Sequence, residues 1–94
     1  MNTYVIYDKL SCLCKIGKTK NLKSRIATLG TANLNLELLV AIPYDMEKEL
    51  HTLFKDKKVN KEWYKLDEFD VNGILEINLE KFKQELNYEH SGLD

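Results

Sequence analysis

The sequence predicts a small α/β domain in which a three-stranded, largely antiparallel sheet is flanked by helices. Three observations lead there. Three segments rich in β-branched, aromatic or aliphatic residues lie at residues 3–8, 13–18 and 36–42, the first two separated by only a turn. Helix-period apolar stripes follow Asn21, Asp45 and Asp67, all residue types that cap helices. A length of 94 residues with 44% apolar and 10% aromatic content supports one packed core and no second one.

Residues 3–8 (TYVIYD) read as the first strand, residues 9–11 as a short polar turn, and residues 13–18 (LCKIGK) as the returning strand of a hairpin. Asn21 is expected to cap a helix whose apolar positions are Leu22, Ile26 and Leu29, with Gly30 ending it. The run LELLVAI (residues 36–42) is almost wholly apolar, as expected of a strand covered on both faces, and Pro43 stops it. Asp45 is the expected cap of a second helix carrying Met46, Leu50, Leu53 and Phe54 inward. Residues 55–58 and Asn60 form a charged exit, and residues 63–66 (WYKL) a short extended piece. Asp67 caps a third helix, about residues 67–90, whose Val71, Ile74, Leu75, Leu79, Phe82 and Leu86 fall on one face. Gly73 weakens its first turns and Ser91-Gly92 marks its end. The order is β-β-α-β-α-(β)-α in a single domain, residues 1–94, without repeats or linker-like stretches.

Composition narrows the class of function. No run of eighteen apolar residues is present, so no membrane span is expected. No basic region followed by an apolar one opens the chain, and there are two cysteines, so a disulfide-stapled secreted fold is not expected; the expected location is the cytoplasm. The net charge of −1 conceals an asymmetry. Residues 1–30 carry six cations and one anion, a net +5, whereas residues 31–94 carry eight cations and fourteen anions, a net −6. Lys15, Lys18, Lys20, Lys23 and Arg25 follow one another with no acid between them, which suits a phosphate backbone as partner. Arg25 is the single arginine among fourteen basic residues, and a guanidinium grips phosphate at two points as an ammonium does not.

Five pieces stand in a specific order: Tyr4-Val5-Ile6 on the first strand, Lys15-Ile16-Gly17-Lys18-Thr19 on the second, and Arg25 eight residues after Gly17 on the first helix. Glu47 and His51 then follow in Met46-Glu47-Lys48-Glu49-Leu50-His51 on the second helix, and Glu62-Trp63-Tyr64 comes after it. Together they resemble the GIY-YIG nuclease superfamily, more closely its phage- and virus-associated branch, with a KIG-type second motif, an E-x-x-L-H helix and an E-W-F/Y triplet. The resemblance spans about residues 3–66. It implies a Tyr4 that activates the attacking water or serves as the base, an Arg25 that contacts phosphate, and a Glu47 that binds one divalent metal, Mg²⁺ or Mn²⁺. Lys15 stands where most members have a second tyrosine, a departure that some active members share. Leu29 stands where many carry His or Tyr, and Thr28, Thr31 or His51 would have to supply that polar group.

The implied function is a metal-dependent DNA endonuclease with low intrinsic sequence specificity, Lys18, Lys20 and Lys23 tracking the backbone. A protein partner or homo-oligomer would add any specificity. The alternative is the same fold without catalysis, a DNA- or protein-binding module of a phage or mobile element. A third possibility is a small regulatory protein acting by protein contact alone.

The chemistry asks for these residue types. Phosphodiester hydrolysis needs a positioned water, a cation for the developing phosphorane charge and a group that takes a proton. Mg²⁺ keeps most of its waters, so one carboxylate can suffice as protein ligand. A free phenol titrates near pH ~10, too high for a base at neutral pH, and a neighbouring cation such as Lys15 would favour the phenolate. Whether Lys15 shares a face with Tyr4 depends on hairpin register, which a one-residue slip inverts. At ~100° per residue, Ile26 and Leu29 fall within about 40° of Leu22 and Arg25 about 60° to the side, at the edge of the apolar stripe.

Each feature also has a purely structural explanation. Tyr4 packs as a strand aromatic, Gly17 marks a bulge, the cations form a solvated face, and Arg25 pairs with Glu47. Glu47 and His51 support their helix as an i,i+4 pair, while Glu62 and Trp63 anchor the chain to the core. Cys12, Cys14, His51 and His90 suffice in number for zinc, but C-x-C sets both thiols on one strand face, unlike a zinc knuckle. The third helix, with six acids in residues 67–85, covers the sheet and turns DNA away from that side.

Overall fold

The structure, a computed structural model, describes residues 1–32 and 34–90, with the side chains of all of these except 30–32 and 87–90. The expected helix end at Ser91-Gly92 and the side chains of Thr31 and His90 lie outside the described residues.

Strands β1 (Asn2–Asp8) and β2 (Leu13–Thr19) form the expected hairpin, with Tyr4 opposite Gly17 and Ile6 opposite Lys15. Its turn closes through the Cys12 N–H on the Asp8 carbonyl at 2.8 Å. Cys12 takes up a left-handed φ of 61°, which bends the chain back. Cys12 is therefore in the turn and exposed, while Cys14 is in the strand and buried; the expectation that both thiols share a strand face does not hold.

Helix α1 (Leu22–Ala32) starts where expected, the Asn21 side-chain oxygen accepting the Ser24 N–H at 3.1 Å. It runs two residues past Gly30, which does not end it. Strand β3 (Leu36–Ile42) pairs antiparallel with the other side of β1, so β1 lies inside the sheet and β3 is an edge. The expectation that β3 is covered on both faces fails: Val40 and Ile42 are buried but Leu38 and Leu39 are exposed. An apolar run fixes that a strand forms, not how many layers cover it.

Helix α2 (Glu47–Leu53) is not capped by Asp45. The buried Thr3 hydroxyl takes that role, accepting the Met46 N–H at 2.7 Å and donating to the Tyr44 carbonyl at 2.7 Å. Asp45 instead faces Lys18, 3.6 Å away. Met46, Leu50 and Phe54 point into the core, whereas Leu53, expected with them, is exposed. The charged exit is a single 3-10 turn, Lys55–Lys57, followed by two short strands, β4 (Lys58–Asn60) and β5 (Trp63–Tyr64). The sheet thus has five strands rather than three, in the order β3-β1-β2-β5-β4, and every neighbouring pair is antiparallel. Strands of three and two residues are too short to show an alternation in sequence.

Helix α3 (Glu68–His90) is capped by Asp67, whose side chain accepts the Asp70 N–H at 2.9 Å while the Asp70 carboxylate accepts the Asp67 N–H at 3.0 Å. Its inner face is narrower than expected: Val71, Ile74 and Ile77 pack on the core, while Leu75, Leu79, Phe82 and Leu86 remain exposed. No helix among the described residues is long and apolar enough to cross a membrane.

Side-chain alternation splits the molecule into two layers about the sheet. Val5, Cys14, Ile16, Val40, Ile42 and Tyr64 form the core with α2 and α3. Tyr4, Ile6, Lys15 and Gly17 face the other way, where Ile26 and Leu29 of α1 line an apolar crevice with Ile6, Leu36 and Leu38.

Candidate functional site

Register decides the question that the sequence left open: Tyr4, Lys15 and Gly17 share a sheet face. The Tyr4 ring lies across Gly17. A Cβ built on Gly17 would sit 2.5 Å from the Tyr4 hydroxyl oxygen and 2.6 Å from Cζ, so only glycine leaves room. Gly17 is here for this close approach and not for backbone freedom, since no glycine among the described residues has positive φ. The ring is buried, 2% exposed, and its oxygen accepts a hydrogen bond from Arg25 Nε at 3.3 Å. That bond, attraction to the Tyr4 oxygen and, more weakly, to the Glu62 carboxylate hold the guanidinium above its ordinary range against some desolvation. Among the described residues no carboxylate lies within ion-pair distance of Arg25, so the expected alternative of an Arg25–Glu47 bridge is not formed.

A second group gathers just before β5 begins, where the edge of β2 opens. Ile16 has both backbone groups turned that way: its N–H donates to the Glu62 carbonyl at 3.1 Å, and its carbonyl accepts from His51 Nε2 at 3.0 Å. A carbonyl only accepts, so Nε2 is the nitrogen that carries a proton here, and a lone pair, where the ring has one, is on Nδ1. The His51 ring leans on Tyr64 with centroids 5.3 Å apart. Burial holds the Tyr64 phenol above its ordinary range, and the negative charges of Glu47 and Glu62 add to this. Glu47 lies one turn before His51 on α2 and is half-buried. Lys15, expected beside Tyr4, places its ammonium 3.6 Å from Glu62.

The predicted residues thus form two sets around one strand. Tyr4 and Arg25 touch on the α1 side; Glu47 and His51 flank Tyr64 on the α2 side. Arg25 and Glu47 come from helices on opposite faces of the sheet, and Glu62, whose charge reaches both Arg25 and Tyr64, lies between the sets. Glu62 was expected only to anchor the chain and Tyr64 only to extend it; the Glu62-Trp63-Tyr64 triplet was the available signal for both. Of the cations expected to meet nucleic acid, Lys20 and Lys23 are exposed, while Lys18 is partly engaged by Asp45. Leu29 lines the apolar crevice, and Thr28 donates its hydroxyl to the Ser24 carbonyl at 2.9 Å.

A family model described as the T5orf172 domain matches residues 2–79, most of the chain. The chain belongs to the T5orf172 domain family. The match takes in the hairpin that carries Tyr4 and Gly17, the helices that carry Arg25, Glu47 and His51, and the Glu62-Trp63-Tyr64 segment, so both sets of the site lie inside the T5orf172 domain. T5orf172 is a phage-associated domain of the nuclease-like kind. No curated protein and no solved structure is significantly similar to the chain.

Proposed function

We propose that this T5orf172 domain is a metal-dependent DNA endonuclease that hydrolyses phosphodiester bonds with little sequence preference of its own, as a GIY-YIG nuclease does. The observation that carries the reading is the Arg25 Nε–H bond to the Tyr4 oxygen above Gly17. It sets a fixed cation and a phenol oxygen side by side, with the terminal guanidinium nitrogens available to bind phosphate at two points. Membership of a nuclease-like family supports it further.

In this mechanism Arg25 holds the scissile phosphate and stabilises the charge that develops on it. Acting as the phenolate, the Tyr4 oxygen, oriented by Arg25, takes the proton of the attacking water and becomes the phenol; in a neutral ring, His51 Nδ1 is the other lone pair suited to that task. Lys15 positions Glu62, and Glu62 sets the field between the two sets. Glu47 would hold Mg²⁺ or Mn²⁺, which when bound supplies charge neutralisation and a more acidic water. Among the described residues no three His, Cys, Asp or Glu side chains cluster, so Glu47 would be the single protein carboxylate on such an ion, with water filling the rest of its shell. The test is supercoiled plasmid with Mg²⁺ or Mn²⁺. Wild type is expected to nick it, and Glu47→Ala to lose nicking while remaining folded by circular dichroism.

A second reading has support of its own. Lys15 is committed to Glu62 and Leu29 to an apolar crevice, the two places where the domain departs from most GIY-YIG members. A binding module that has lost catalysis would show no nicking with any divalent metal yet still hold DNA. Both readings expect electrostatic DNA binding through Lys18, Lys20 and Lys23. If two to three phosphates are neutralised, a fourfold rise in salt weakens affinity about ten- to fortyfold, and replacing the three lysines by Gln flattens that slope. Fluorescence anisotropy on a labelled duplex measures it, and a salt-independent affinity would rule out a phosphate track.

A further inference from the structure

The outer face of α3 carries Leu75, Leu79, Phe82 and Leu86, which are 44%, 50%, 52% and 37% exposed. Their spacings of four, three and four residues are those of a two-helix seam. The inner face of the same helix is already occupied. Val71, Ile74 and Ile77 pack on the core, Tyr44 donates to Glu85 at 2.6 Å, and Lys81 is held near the Tyr44 ring and Glu49. The exposed stripe is therefore not the face that docks α3 on the domain. A groove of about 420 Å³, lined by Pro43, Tyr44, Leu75, Asn78, Leu79 and Phe82, runs alongside it. The family match ends at Leu79, so Phe82 and Leu86 lie outside it on a helix that continues to His90.

We propose that this face pairs with the same face of a second copy of the chain, the two α3 helices running antiparallel about a two-fold axis. Charge selects this occupant and this direction. In an antiparallel seam Leu79 layers against Phe82 of the second copy and Leu75 against Leu86, which seats each Phe82 beside the other copy's groove. The residues that then face each other across the rim are Glu76 and Lys83, twice over by symmetry. Both are exposed, and among the described side chains the ion pair of Lys83 is with an exposed neighbour, Glu80, at 3.9 Å. A parallel arrangement would instead set Lys83 opposite Asn78 and forgo both pairs. Four half-exposed side chains make a modest interface, so the dimer is concentration-dependent, with a dissociation constant on the order of micromolar rather than nanomolar. The proposal is independent of the nuclease reading, because its readout is mass.

Sedimentation velocity of the full chain over a wide concentration range tests it. Wild type is expected to shift from monomer to dimer. Glu76→Lys and Lys83→Glu, both surface changes that spare the fold, are each expected to weaken the dimer about tenfold by setting like charges opposite. The double variant Glu76→Lys/Lys83→Glu restores it, and Phe82→Ser abolishes it. A chain that stays monomeric at its highest soluble concentration overturns the proposal. So does a dimer indifferent to both single reversals, or a double variant no better than the singles.

Discussion

Arg25→Lys is expected to leave the domain folded and DNA-bound and to slow nicking by about 10²–10³-fold, the usual cost of one oriented donor at a developing charge. The ammonium keeps the positive charge, so salt-dependent binding changes little. What it loses is the planar fork: Nε–H can no longer rest on the Tyr4 oxygen while the terminal nitrogens grip a phosphate. Tyr4→Phe is the companion measurement, since it keeps the ring over Gly17 and removes only the oxygen. Single-turnover rates on a nicked-plasmid gel separate the outcomes. If Arg25→Lys cuts as fast as wild type, two-point phosphate contact is not part of the chemistry. If Tyr4→Phe cuts as fast, the proton goes elsewhere, and His51 Nδ1 is the next group to replace.

Gly17→Ala is expected to destabilise the fold by about 2–3 kcal/mol, a fall in Tm on the order of ten degrees for a domain of this size. The added methyl would stand 2.5 Å from the Tyr4 oxygen and 2.6 Å from Cζ. The end of a flexible side chain can usually move aside. Tyr4 cannot do so freely, because its ring is buried and its oxygen is tied to Arg25. The two positions should therefore be coupled: Gly17→Ala costs much less in a Tyr4→Ala background than in wild type. Urea denaturation of the four proteins in the cycle measures the coupling. Additive costs would mean that the ring does not lie on Gly17 in solution.

Sequence reasoning reached most of the fold because the long elements carry strong local signals. Asn21 and Asp67 cap as expected, and the hairpin follows the alternation of TYVIYD and LCKIGK. What escaped it depends on residues far apart in the chain. Asp45 is an ordinary capping residue in a plausible position, yet a hydroxyl more than forty residues earlier, Thr3, receives the helix amide instead. LELLVAI reads the same whether one or two layers cover it, and only the sheet order makes it an edge. For the site, the types and spacing of Tyr4, Arg25, Glu47 and His51 were legible, but the partner of Lys15 was not. Glu62 reaches it through the pairing of a two-residue strand that has no period to detect.

Thr3 and Tyr4 are consecutive, and their side chains emerge from opposite sides of the same strand. One fixes the origin of α2 through the Met46 amide; the other receives Arg25 from α1. A single planar peptide unit is therefore the shared datum from which both helices are measured. Any displacement of β1 carries the α1 residues and the α2 residues together, and neither set can drift relative to the other without breaking a bond at that datum. The two halves of the site are gauged like the two jaws of a calliper with one stock.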